Sequence, residues 1–244
     1  MKTTLLQRVL VKLLFAILFI GISNSGYSQG VKFNHDISPG EGYIKPQENP
    51  YRQEICLNGS WDFQPVAIPA GWVANKGIAP ELSLPEASKW ETTKIKIPSP
   101  WNVNTWGAGR NVGKGTNSPY APSSVYYPSY PKSWDNVRMG WLKRSFTVPQ
   151  KWVGKRIMVH FEAVMGDFVV MVNGQKAAQH FGDYMPFDVD VTDLVKTGKP
   201  NELLVGVRHR KLFDKTDPKY RYFRSTYPPG SNTDNLVGIW QDVF

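Results

Sequence analysis

The sequence predicts an all-β fold, a sandwich or jelly roll, and three observations carry that prediction. Apolar residues alternate with period two in one segment after another. No stretch sustains a long helical period. Gly and Pro turn signals punctuate the alternating runs at close spacing. A chain of 244 residues, 41% apolar and 20% charged, is ordinary globular material, enough for one large sandwich or two domains.

The elements follow in order. Ile55 to Phe63 (ICLNGSWDF) reads as a strand carrying an Asn-Gly turn signal at Asn58 and Gly59. Lys94 to Ile97 (KIKI) is a short strand stopped by Pro98, and Met139 to Val148 (MGWLKRSFTV) alternates until Pro149. Arg156 to Ala163 places Ile157, Val159, Phe161 and Ala163 on one face and Met158, His160 and Glu162 on the other. Phe168 to Val172 (FVVMV) is apolar on both faces, as an inner strand is. Asn173-Gly174 then supplies the positive φ angles of a tight hairpin turn.

Glu202 to Val207 (ELLVGV) is a further strand, and Val237 to Phe244 begins a last one. Asp188 to Lys196 (DVDVTDLVK) is the one short helical candidate, capped by Thr192 or Asp190 and ending before Gly198 and Pro200. Two stretches are not strands. Gly71 to Trp90 is rich in Pro, Ala and Gly; Trp101 to Val137 is a long connection, first Gly and Asn rich, then Tyr and Pro rich. Connections of that length are functional or disordered, and tyrosines this dense argue for order.

The chain opens on Lys2, Arg8 and Lys12 without an acidic residue, then the apolar run Leu13 to Ile22, then the small and polar run Ser23 to Ser28. That is the order of a secretory signal, residues 1–28, so the protein is expected in the periplasm or secreted. Ten apolar residues reach about 15 Å as a helix, roughly half a bilayer core, so no membrane span is expected after cleavage. Residues 29–54 then form an N-terminal extension to a domain over 55–244.

The net charge of +9 falls when the signal is removed, and the remaining basic residues are spread along the chain, which with export argues against a nucleic-acid partner. Cys56 is the single cysteine, so the fold rests on its core and not on a disulfide. Four histidines (His35, His160, His180, His209) lack ligand spacing, so no metal is expected; His180 is read as fixing the Gly182-Asp183 turn. Gly107 to Gly115 does not open a helical pattern, so no nucleotide loop and no cofactor is expected.

Six segments, taken together, resemble one known family. LNGSWDF (Leu57 to Phe63) looks like the first strand of the family 2 glycoside hydrolase sugar-binding domain, and IPSPWN (Ile97 to Asn102) like its proline-tryptophan-asparagine element. WLKRSFTVPQKWVGKRIMVHFEAV (Trp141 to Val164), VNGQ (Val172 to Gln175) with HFGDYMPFDVDVTDLVKTG (His180 to Gly198), NELLVGV (Asn201 to Val207) and GIWQDV (Gly238 to Val243) follow in the family's order. The resemblance implies a galactose-binding-like jelly roll at the front of an enzyme acting on a β-linked carbohydrate. It also implies a downstream immunoglobulin-like domain and a (β/α)8 barrel with two glutamates, general acid/base and nucleophile of a retaining mechanism. Both domains and both glutamates are expected to lie outside this chain, which therefore holds no catalytic residue and is a fragment.

Glu162, Asp167, Asp183, Asp188 and Asp190 lie close in sequence but suit turns and caps better than an acid/base pair; Glu162 is expected to bond the turn before Asp167. In galactosidase-like members of the family, two loops of this domain reach the sugar pocket. One resembles SVYYP (Ser124 to Pro128), with Ser124 in place of the family's asparagine, and Tyr126 and Tyr127 either stack on pyranose faces or pin the loop. The other resembles SNTDNLVGIW (Ser231 to Trp240), where Asn232 and Asp234 fall nearest the family's aspartate, though both also suit a bland polar turn.

Two further readings fit the same residues. One is a free-standing carbohydrate-binding module that uses the loop aromatics Trp106, Tyr120, Tyr126, Tyr127, Tyr130 and Trp134. The other is an inert fragment with a bare partner surface.

Overall fold

The structure is a computed structural model, and it describes residues 48, 51–73, 79–102, 130–182, 184–213, 216–218, 220 and 236–244. The chain divides into two units, 1–32 and 33–244, and every described residue belongs to the second. Among the described residues the strands are β1 (Gly59–Val66), β2 (Ile95–Ile97), β3 (Met139–Thr147), β4 (Met158–Phe161), β5 (Val164–Val172), β6 (Gln175–Gly182), β7 (Phe187–Asp190), β8 (Pro200–Arg208) and β9 (Gly238–Ile239). The only helical pieces among them are 3-10 turns, so this part of the chain is all-β.

The larger sheet runs β2–β1–β3–β8–β5–β6, antiparallel throughout, and β9 bonds to the first residues of β5. β4 and β7 form a second antiparallel pair. The register lines up apolar side chains across the large sheet: Phe63 opposite Leu142, Leu142 opposite Val205, Val205 opposite Val170. All four are fully buried. Val159, Phe161 and Val189 of the small sheet join the same core, with the Phe161 ring 5.7 Å from Phe168 and Phe187 5.5 Å from Phe168. Two sheets thus face each other across one core, and each side chain fully buried there contributes roughly 1.5–3 kcal/mol.

β5 is the inner strand that FVVMV predicts, held between β8 and β6. The Asn173-Gly174 turn closes the β5–β6 hairpin, with φ +51 and +81. The Asn173 side chain also holds the turn in place. Its Nδ2 donates to Leu194 O and to Asn201 Oδ1, both at 2.8 Å, tying the hairpin tip to the turn before β8.

Residues 80–86 of the Pro/Ala-rich stretch cross the outer face of the large sheet as a strap. Gln64 Nε2 donates to Glu86 O at 2.7 Å while Glu86 N–H donates back to Gln64 Oε1 at 2.8 Å. Trp141 Nε1 donates to Ser83 O at 2.7 Å. Gly206 leaves room for this layer, since a Cβ there would meet Leu82 at 2.6 Å and Trp141 at 2.7 Å.

Three expectations need correction. Asn58-Gly59 is not a turn: Gly59 starts β1, and buried Asn58 clips two distant residues, donating to Asp242 Oδ1 at 2.8 Å and accepting from Val243 N–H at 2.9 Å. Asp188 to Lys196 is not a helix. Its first half is β7, because Val189 and Val191 alternate into the core, and only one turn follows. The cap bonds still form, with Thr192 N–H and Oγ1 donating to Asp190 Oδ1. Glu162 does not bond the turn before Asp167; its Oε1 lies 3.4 Å from His160 Nε2. Val237 to Phe244 does begin a last strand: β9 pairs with the start of β5, Val243 bridges to Phe161, and Phe244 exchanges both backbone bonds with His160.

Candidate functional site

The five candidate contact residues, Ser124, Tyr126, Tyr127, Asn232 and Asp234, lie outside the described residues. The residues that carry their two segments, 103–129 and 221–235, do not. Asn102, fully buried, accepts Val237 N–H on Oδ1 at 3.0 Å, and Trp101 N–H donates to Val237 O at 3.3 Å. The start of one segment is thereby bonded to the end of the other. Trp101 Nε1 donates to Val137 O at 3.1 Å, just ahead of β3, which brings the return of the first segment to the same place.

An aromatic plug anchors these roots. Phe63 lies 5.0 Å from Trp101 and 4.5 Å from Trp134, and Tyr130 lies 5.1 Å from Trp134. Tyr130 and Trp134 are 4% and 1% exposed, so neither is a surface platform for a sugar ring, which corrects that part of the binding-module reading. Tyr130 Oη accepts Lys96 N–H at 2.9 Å; burial pushes its pKa up to about 12 against hydrogen bonds from Ser99 and the Lys96 backbone. Tyr220, the last described residue before 221–235, packs on Phe213 and Phe181 at 4.8 and 5.6 Å. Phe181 stands opposite Asp167, Asp167 opposite Arg208 and Arg208 opposite Met139, the first residue of β3. Asn102, Val137, Tyr220 and Val237 therefore sit toward one end of the sandwich, while Tyr130 reaches back to Lys96, opposite Ser60.

Three polar atoms of the segment leading into β3 are buried. Trp134 Nε1, Asp135 Oδ1 and Arg138 Nη1 are buried without a hydrogen-bond partner among the described residues. Burial lowers the Arg138 pKa, yet a guanidinium stays charged at any ordinary pH.

The other acidic and histidine side chains have local work. Asp167, 2% exposed, accepts from Arg208 Nε at 2.8 Å and Nη2 at 2.6 Å on one oxygen and from Gln179 Nε2 at 3.0 Å on the other. Asp188 Oδ1 sits 2.8 Å from His160 Nδ1. Asp190 is held down to about 2 by the Thr192 side-chain and backbone bonds and then by Arg156 Nε at 2.8 Å. His180 stacks on Phe187 at 4.3 Å and closes against Gly182, where a Cβ would meet its Nε2 at 2.7 Å; burial lowers its pKa against the pull of Asp167. His209 Nδ1 accepts Lys211 N–H at 3.0 Å. Asp183 and His35 lie outside the described residues. Among the described residues no three His, Cys, Asp or Glu side chains gather to hold a metal.

The sequence marks Asn102 only as part of a motif and does not single out Arg138. The signal for Asn102 is its place, the last residue before a Gly/Asn-rich connection. Arg138 leaves no signal, because an orphaned donor exists only once neighbours are in place.

The family profile described as "Glycosyl hydrolases family 2, sugar binding domain" matches residues 55–244. A β-galactosidase of Thermoanaerobacter pseudethanolicus is 35% identical over 117 residues, 47% of this chain and 14% of that protein. A β-glucuronidase of Felis catus is 25% identical over 210 residues, 80% of this chain and 27% of that protein. The solved β-glucuronidase of Ruminococcus gnavus in complex with D-glucuronic acid has a similar fold, with TM-score 0.50 and 20% identity over 82% of this chain and 30% of its own. The chain thus spans less than a third of the length of these relatives. The match of the family profile over most of the chain, on an all-β domain with its loop roots gathered at one end, shows that this chain belongs to glycosyl hydrolase family 2, as its sugar-binding domain.

Proposed function

We propose that this chain is the sugar-binding domain of an exported glycosidase acting on a β-linked glycoside. The observation that carries the reading is the bond between Asn102 and Val237, which seats the roots of 103–129 and 221–235 side by side. A ligand contacted from both segments would meet the candidates Ser124, Tyr126, Tyr127, Asn232 and Asp234. The sandwich is of the jelly-roll, galactose-binding-like kind, a reading supported by the non-sequential order β3–β8–β5.

Hydrolysis belongs to a barrel elsewhere in the protein, carrying the acid/base and nucleophile glutamates. Relatives several times longer than this chain support that division. Asp167, Asp188 and Asp190 agree with it, being engaged by Arg208, His160 and Arg156. This domain narrows the pocket and orients the sugar. Residues 1–28 direct export to the periplasm or beyond and are removed, and 29–54 lead into the domain, as the charged, apolar and small-residue order supports.

Amide hydrogen exchange of the purified chain, with and without millimolar galactose or glucuronate, tests the loops. Protection confined to 103–129 and 221–235 is expected; protection absent there refutes the loop reading. Nitrophenyl β-galactoside and β-glucuronide should not turn over above buffer. Turnover by the chain alone would place the chemistry inside this domain.

A further inference from the structure

The outer face of the large sheet carries a second apolar cluster, Met139, Leu212 and Phe213, with Phe181, Tyr220 and Leu82 packed against it. It is separate from the core that the two sheets share. A satellite cluster of this kind is not what closes the sandwich.

Local sequence builds it. Asp167 stands opposite both Phe181 and Arg208, so alternation puts these three side chains in one row on the outer face, while Phe168 and Val207 turn into the core. After β8 a 3-10 turn, Arg210–Leu212, bends the chain back. Leu212 N–H donates to His209 O at 2.9 Å and Phe213 N–H to Arg210 O at 3.1 Å. Phe213 is thereby buried, with the Arg208 guanidinium 4.9 Å from its ring and Phe181 edge-on at 5.8 Å. Tyr220 closes on both rings, 4.8 Å from Phe213 and 5.6 Å from Phe181, and its N–H donates to Asp217 O at 3.0 Å.

Arg208 is the fixed point of the row. Its Nε and Nη2 donate to Asp167 Oδ2 at 2.8 and 2.6 Å and its Nη1 to Pro80 O at 2.9 Å, so the planar group cannot turn. Packing alone does not ask for a guanidinium here, because an apolar side chain would fill the place at lower desolvation cost. A fork held at all three nitrogens gives the Phe213 ring one plane to lie against, and Phe213 with Phe181 gives Tyr220 one position. Tyr220 is the last described residue before 221–235, and Val237, just past its far end, is bonded to Asn102.

We propose that Tyr220, steadied by Arg208 through Phe213, is a positioning residue for sugar binding: it sets where 221–235 leaves the domain, and so the reach of the candidates Asn232 and Asp234. The inference rests on the reading of 221–235 as a sugar-contact segment. Tyr220 touches no sugar itself and acts only through the chain that follows it.

The test is amide hydrogen exchange of the full chain, free and with rising galactose or glucuronate. In the free chain Tyr220→Ala should speed exchange of 221–235 roughly tenfold or more while β3, β5 and β8 keep their wild-type rates, because only the satellite cluster opens. The sugar concentration that half-protects 221–235 should then rise about fivefold or more, since affinity falls with the fraction of the segment held in the competent position. Tyr220→Phe keeps the ring and should match wild type in both readings. Arg208→Lys keeps a charge beside Asp167 but loses the planar fork, and should move 221–235 in the same direction as Tyr220→Ala. Acceleration spread over β3, β5 and β8 in Tyr220→Ala would make the cluster an ordinary part of the core and overturn the proposal. Wild-type sugar protection that Tyr220→Ala keeps at full affinity overturns it too, and leaves the loop reading standing. No sugar protection of 221–235 in the wild type overturns the loop reading and the proposal with it.

Discussion

Replacing Asp167 by Leu should destabilise the domain by about 3–5 kcal/mol, the cost of leaving a buried charge without its partner. The geometry sets that scale. Asp167 is 2% exposed and takes two bonds from Arg208 at 2.8 and 2.6 Å and one from Gln179 at 3.0 Å, so solvent cannot replace it. Arg208 is also fixed by its Nη1 bond to Pro80 O at 2.9 Å and its place 4.9 Å from the Phe213 ring, so it cannot swing out to water without opening the strap. At about 2–4 °C per kcal/mol for a domain of this size, Tm should fall by roughly 6–20 °C. Urea unfolding followed by far-UV circular dichroism measures the change as a shift in midpoint at constant m.

The pair Asp167→Leu with Arg208→Met completes a cycle. The double variant should be more stable than Asp167→Leu alone, because no bare charge remains. A loss from Asp167→Leu of less than about 1 kcal/mol, the range of surface pairs, would refute the claim that this pair is sealed from water. Strict additivity in the cycle would refute the coupling.

Two further outcomes follow from the same geometry. Asn58→Ala strips Val243 N–H of its acceptor and Asp242 of its donor, and should cost about 1–3 kcal/mol. Hydrogen exchange should accelerate first at residues 242–244, and unchanged exchange there would count against the clip. Asp190 has a folded pKa of about 2, held there by Thr192 and then Arg156. The unfolded carboxyl titrates near ~3.9, so between those values the unfolded state binds more protons and stability rises with pH. The contribution is present above pH ~4 and lost as pH falls toward ~2. Urea midpoints from pH 5 to 2 should therefore fall less steeply in Asp190→Asn than in wild type, and parallel profiles would contradict this.

Much of the fold was legible because its causes are local. The alternation in MGWLKRSFTV, the two apolar faces of FVVMV and the positive φ demand of Asn173-Gly174 each act within a few residues, and the structure places β3, inner β5 and the hairpin there. The 188–196 segment shows where local reasoning divides. Its cap chemistry at Asp190 and Thr192 is real in the structure, but Val189 and Val191 also alternate, and pairing with β4 selects the strand. Propensity over nine residues amounts to a few tenths of a kcal/mol per position, about what one added strand partner overrides.

The chain's own order of residues was enough for the all-β class, the family and the places of most strands. It was not enough for any contact that closes a long loop. Asn58 reads as a turn until residues 184 and 185 positions away supply its partners, and His160 reads as an exposed-face residue until the segment ending at Phe244 pairs across it. Asn102 and Val237 likewise become one root only through a bond across 135 positions. Such pairings depend on which distant groups the packed core leaves within about 3 Å of each other, and a buried donor or acceptor left unmet costs too much for the fold to ignore.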